Sequence, residues 1–116
     1  MEKKHIVVHY VDDALVAVCA DAKLNDEVGI QAWGDELYGL VETMKGDKLV
    51  VDFSKVAFMS SSSLRVLITL NSRARNKKVK LALCGINANI MEAFKITRLD
   101  SLFEIKKTED DAIKAL

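Results

Sequence analysis

The hydrophobic residues alternate between short compact runs and sets at helical spacing. Ile6 to Val11 and Ala14 to Cys19 are apolar, strand-like runs separated only by Asp12-Asp13, which predicts an antiparallel hairpin. Val28, Trp33, Leu37, Leu40, Val41 and Met44 then recur near helical spacing. Asn25 is placed to cap that helix, Asp26 and Glu27 meet the positive end of its dipole, and Gly46 follows as a stop. Gly29, Gly34 and Gly39 each lower helix propensity by roughly 1 kcal/mol relative to alanine, so an irregular N-terminal half is expected.

The pattern centres on residues 48–76. Leu49-Val50-Val51-Asp52-Phe53 reads as a buried strand, and Leu64, Leu67, Ile68, Leu70 and Ala74 mark a helix. Between them lie Phe58, Met59 and the four serines Ser60, Ser61, Ser62 and Ser63. A helix start favours serine because its hydroxyl accepts a hydrogen bond from an otherwise unpaired N–H. One serine explains a cap, and four ask for a further reason. Val79 to Cys84 is another strand, Asn89 is positioned to cap a helix through Ile90, Ala93 and Phe94, and Leu102 to Ile105 is a short strand. Thr108, with Asp111 three residues on, has the form of a capping box opening a last helix with Ala112, Ile113 and Leu116.

The order β-β-α-β-α-β-α-β-α implies right-handed crossovers and a mixed, mostly parallel sheet of about five strands with about four helices. Neither proline nor a low-complexity linker interrupts the 116 residues, so one α/β domain over residues 1–116 is expected. Seventeen basic and 17 acidic residues give a formal charge of zero, which argues against a nucleic-acid binder held by phosphate contacts. No apolar run approaches the roughly 18–20 residues of a membrane span. The start, MEKKHIVVHY, lacks the form of a signal peptide, so a cytoplasmic protein without membrane insertion is expected.

Candidate chemistry is sparse. Cys19 and Cys84 sit in apolar runs and read as buried thiols. His5 and His9 read as exposed residues on one face of an edge strand, with no metal-ligand spacing around them, and no metal site or cofactor is expected. Ser61 as a nucleophile would need a positioned base, and no G-x-S-x-G elbow or phosphate-cradling glycine motif is present, so an enzyme is not expected. Trp33 reads as a core position, with partial exposure at an interface as the alternative. Arg65, Arg73, Arg75, Lys77 and Lys78 form a basic side to the second helix, either a solvated face or a surface for an acidic partner.

The segment Val50-Val51-Asp52-Phe53-x-x-Val56-x-Phe58-Met59-Ser60-Ser61-Ser62-Ser63-Leu64-x-Val66-Leu67 resembles the signature of the STAS domain, the family of anti-sigma factor antagonists. The strand Val79 to Cys84 and the stretch from Asn89 to Phe103 resemble the family's downstream pattern, so the likeness spans residues 5–116. It implies a protein that binds an anti-sigma factor, often a GHKL-type serine kinase, and is released by phosphorylation and reset by a phosphatase. By position the phosphoacceptor is Ser61, with Ser60 and Ser62 as alternatives, and Ser60, Ser61, Ser62, Ser63 and Arg65 form the partner-binding loop. Ser60 stands where the family usually has aspartate, and Ser63 and Arg65 stand where it has glycines. The other function the resemblance allows is a non-phosphorylated scaffold subunit of a larger signalling or transporter-associated complex, and homo-oligomers are compatible with either. A serine cluster that only caps and solvates a helix start is the alternative to both.

Overall fold

The computed structural model describes residues 4–116; residues 1–3, part of the charged N-terminal stretch, lie outside that range. The elements in order are β1 (Ile6–Val11), β2 (Ala14–Cys19), β3 (Lys23–Leu24), α1 (Glu27–Thr43), β4 (Lys48–Asp52), β5 (Phe58–Met59), α2 (Ser61–Asn76), β6 (Lys80–Cys84), α3 (Ala88–Ile96), a 3-10 turn (Leu99–Ser101), β7 (Glu104–Lys106) and α4 (Glu109–Lys114). Five strands form one sheet in the order β1-β2-β4-β6-β7, antiparallel between β1 and β2 and parallel elsewhere. The α/β class, the strand number and the four helices are as expected from the sequence.

Each parallel strand is added on the same side of the last, and right-handed crossovers then place α1, α2 and α3 on one face. Alternation along the strands follows. Leu15, Ala17, Leu49, Val51 and Leu83 point into the main core with Trp33, Leu37, Leu67, Leu70 and Phe94. Val16, Val50, Ala82 and Cys84 point to the opposite face, where Ala112 of α4 covers them. Trp33 is fully buried; its indole N–H donates to Cys19 Sγ at 3.3 Å, and its ring meets Phe53 edge-on at 6.3 Å.

Several expectations shift. The cap of α1 is Asp26, which accepts from Gly29 N–H at 2.9 Å; Leu24 is held in β3, so the chain turns one residue later than Asn25. The cap of α3 is Asn87, not Asn89. Its Oδ1 accepts from Ile90 N–H at 2.8 Å while its Nδ2 donates to the Ala57 carbonyl at 3.1 Å, a tie to the loop before β5 that Asn89 does not make. Helix α1 is continuous despite its glycines. A β-carbon on Gly34 would stand 3.1 Å from Val66, so there glycine serves close packing of α1 on α2. The strand expected at Leu102 to Ile105 occupies Glu104–Lys106, because the 3-10 turn takes Leu99–Ser101.

His5 is buried, against expectation. It precedes β1, its N–H donates to Glu36 Oε2 of α1 at 2.9 Å, and its imidazole pairs with Asp21. Val28 and Ile68, assigned to apolar helix stripes, are exposed, since the buried stripes run through Ile30, Trp33, Leu37 and Val41 and through Leu64, Leu67, Leu70 and Ala74.

Candidate functional site: the start of the second helix

Central strand β4 delivers the chain to the serine run through a fixed turn. Asp52 ends the strand, and its Oδ1 accepts from Ser54 N–H at 2.7 Å. Phe53 N–H donates to the Cys84 carbonyl at 2.9 Å. Gly85 stands against this turn with φ +72, and a β-carbon there would come within 2.9 Å of Ser54 N, so the close approach requires glycine. The chain then enters β5, which pairs in parallel with β3. Because β3 leads into α1 and β5 into α2, the two helices start side by side.

The four serines divide the work at that start. Ser60 is the N-cap, extended at φ −82 and ψ 170; its carbonyl accepts from Ser63 and Leu64 N–H groups, and its hydroxyl from Ser63 N–H at 3.4 Å. Ser63 is fully buried and donates its hydroxyl to the Ser60 carbonyl at 2.6 Å. Ser61 and Ser62, the first helical residues, are exposed, and no protein group among the described residues accepts from their N–H groups. Two unpaired donors at the positive end of a 16-residue helix favour an anion.

Surroundings separate the two. Ser62 lines a cleft of about 430 Å3 between α1 and α2, together with Glu27, Ile30, Gly34, Asp35 and Tyr38. A negative group on Ser62 would face those carboxylates. The basic side expected of α2 is partly engaged: the Arg73 guanidinium lies 4.4 Å over the Tyr38 ring, and Lys77 pairs with Glu42 at 3.3 Å. Arg65 is exposed and makes no ion pair among the described residues. Phe58, 49% exposed two residues before Ser60, and Val28, 81% exposed in the first turn of α1, add large apolar groups at this end. The sequence marks neither as exposed: Val28 falls on the apolar stripe expected of α1, and Phe58 lies in a run too short to show a period.

A polar cluster that the sequence did not indicate lies under α4. Burial raises the Asp52 carboxyl, but hydrogen bonds from Glu109 and from Ser54 outweigh it and hold Asp52 below the ordinary aspartate range. Glu109 is pushed up by its hydrogen bond to Asp52 and by burial, with His9 acting in the opposite direction. His9 Nε2 lies 3.1 Å from Glu109 Oε1. Both thiols are pushed up to about 12, chiefly by burial. The hydrogen bonds of the two imidazoles run to Asp21 and Glu109, and none runs to the serine run among the described residues.

A hairpin-led sheet with three helices on one face and a serine-capped helix after its central strand is the arrangement of small α/β domains of the STAS type. The chain belongs to the STAS domain family, whose model matches residues 6–112. It is 28% identical over 76 residues to an anti-sigma-B factor antagonist of Listeria monocytogenes, covering 66% of this chain and 67% of that one. It is 27% identical over 104 residues to BtrV of Bordetella bronchiseptica, provisionally named an anti-sigma factor antagonist, covering 89% and 87%. The fold matches that of an anti-sigma factor antagonist from Mycobacterium paratuberculosis with a TM-score of 0.82 at 23% identity, covering 95% of this chain and 91% of that one. Among the described residues no helix is long and apolar enough to cross a membrane.

Proposed function

We propose that this protein is an anti-sigma factor antagonist whose docking face is the start of α2, and that phosphorylation of Ser61 by its partner, an anti-sigma factor with serine kinase activity, ends the complex. The observation that carries this reading is the division of labour among the serines. Ser60 is occupied as the cap and Ser63 is buried in a hydrogen bond, while Ser62 opens towards Glu27 and Asp35. Ser61 alone combines exposure, a free hydroxyl and a position at the first helical residue, with Arg65 one turn further on.

A phosphate there adds about 1.5–2 negative charges and three acceptor oxygens at a helix end that tolerates anions, so the domain stays folded. What changes is the surface. Phe58 and Val28 supply apolar contact around the serines, and a dianion in the middle of such a face costs desolvation and repels acidic partner groups. Removal of the phosphate by a phosphatase restores the complex. The function works through protein binding in the cytoplasm and needs neither nucleic acid nor a cofactor.

The test is a pull-down with the cognate kinase, found by its gene neighbourhood, using Ser61→Ala and Ser61→Asp forms, followed by mass spectrometry of the 60–63 peptide. Ser61→Ala should bind and resist modification, and Ser61→Asp should lose most of the complex. An unmodified wild-type peptide after incubation with kinase and ATP rules the switch out. A large assembly indifferent to Ser61→Asp on gel filtration identifies the scaffold subunit instead.

A further inference from the structure

Strand β1 is one edge of the five-stranded sheet, and its outer side is unusually bare. Ala20 N–H donates to the His5 carbonyl at 2.9 Å, which sets the alternation of the antiparallel ladder. Odd-numbered residues of β1 therefore turn their backbone groups to β2, and Ile6, Val8 and Tyr10 turn theirs outward. The Ile6 N–H is taken by the Glu36 carboxylate at 3.2 Å. Val8 and Tyr10 have no partner for their outward N–H and C=O among the described residues. Natural edges are usually blunted by lysine, proline or a bulge. Between Ile6 and Val11 this one carries none, and Val7, Val8 and Tyr10 are 58%, 46% and 59% exposed.

We propose that β1 pairs antiparallel with β1 of a second copy of this chain, about a two-fold axis through His9, to make a sheet continuous across two molecules. Glu36 selects the register. Centring on His9 sets Val8 opposite Tyr10 of the second copy and the reverse, so that four backbone hydrogen bonds form from groups that are already free. Centring on Val8 would place Ile6 opposite Tyr10 and require Glu36 to leave the Ile6 N–H.

Side chains agree with the His9 register on both faces. On the helix side, Tyr10 of the second copy falls beside Val8 at the groove that Ile6, Val8, Gly39 and Leu40 line. On the α4 side, Val7 meets Val11. Charge is complementary at the ends of the strip: Lys4 and Asp12 are exposed, without an ion pair among the described residues, and the antiparallel fold-over brings each diagonally next to the other. The strip is short, so the dimer belongs to the small, reversible class of interfaces. It leaves the start of α2 free, and it does not depend on the function proposed above.

Disulfide trapping tests it. At the axis, a pair without direct hydrogen bonds has Cα atoms about 4.5 Å apart, inside the range a disulfide spans. Cys19 and Cys84 are buried, so an introduced thiol reports alone. Under mild oxidation His9→Cys should form a covalent dimer roughly tenfold or more faster than Lys45→Cys, an exposed control, because pairing raises the effective thiol concentration. Sedimentation of the wild type should show a dimer that grows with concentration and disappears in Tyr10→Lys, or in Val8→Lys should the first variant misfold. A wild type that stays monomeric at millimolar concentration, with His9→Cys no faster than the control, overturns the proposal. Faster trapping of Val8→Cys than of His9→Cys overturns the register, and an edge occupied by a strand of another protein in place of a second copy overturns the partner.

Discussion

On one side of the sheet, Trp33, Leu37, Leu67, Leu70 and Phe94 from three helices interlock with the inward residues of β2, β4 and β6. On the other, a single six-residue helix, α4, sets Ala112 over Val16, Val50, Ala82 and Cys84, beside the carboxyl pair Asp52 and Glu109. The first side is large and apolar; the second is small, polar at its margin and covered by α4. Stability should therefore reside on the helix side, while local opening and sensitivity to pH belong to the α4 side. The serine run hangs from the stable side, because α2 is anchored there by Leu64, Leu67 and Leu70. The charge switch proposed for that face calls for such a rigid mount.

The largest effect should come from Trp33→Ala. It removes a fully buried side chain, its edge contact with Phe53 and its hydrogen bond to Cys19, and should cost about 3–5 kcal/mol in denaturant unfolding. A loss below about 1 kcal/mol would show that the helix side is not the dominant core. The thiols give the next contrast. Both are shifted to about 12, so neither reacts appreciably until its cover opens. Cys84 needs only α4 to lift, whereas Cys19 needs the helix side to come apart. In native conditions Cys84 should label about two orders of magnitude faster than Cys19, the ratio given by an opening free energy ~3 kcal/mol lower. Equal rates would mean that the two faces open as one unit. Smaller still, a chain ended at Lys107 should remain folded and lose about 2 kcal/mol, the worth of the small apolar area under Ala112, Ile113 and Leu116.

The contrast also explains what the sequence could disclose. The hairpin Ile6–Val11 and Ala14–Cys19, strand β4 and the stripe of α2 all bury whole faces, and periodicity reports buried faces directly. The serine run was visible as a helix start because capping chemistry is local. Caps at Asp26 and Asn87 lay one and two residues from Asn25 and Asn89, since several neighbouring Asn and Asp side chains can cap and tertiary ties decide among them. Two-residue strands β3 and β5 have no period to detect, although their pairing is what brings α1 and α2 to a common start. His5 looked like an exposed strand residue because nothing local announces Asp21 or Glu36. Asp52 read as one residue of a buried strand, and Glu109 as part of a capping box. Their contact joins the central strand to the last helix and leaves no trace in either neighbourhood.

That carboxyl pair offers the finest test of the difference between the faces. Asp52 is held below the ordinary aspartate value, so its contribution to stability is present above that value and fades as pH falls through the depressed one. Glu109 is raised, so its contribution is present below the ordinary glutamate value and fades as pH rises through the raised one. Between the two limits the pair holds one proton, and α4 is docked most firmly in mildly acidic solution. Glu109→Gln keeps a donor for Asp52 but cannot lose it. The variant should match the wild type in that acidic window and exceed it by about 1 kcal/mol at higher pH, the worth of one retained hydrogen bond. Its low-pH limb, which belongs to Asp52, should be unchanged. Thermal unfolding followed from about pH 2 to about pH 8 measures both limbs. Parallel curves for the two proteins would show that the proton between Asp52 and Glu109 does not hold α4, and would leave its docking to Ala112 and its apolar neighbours alone.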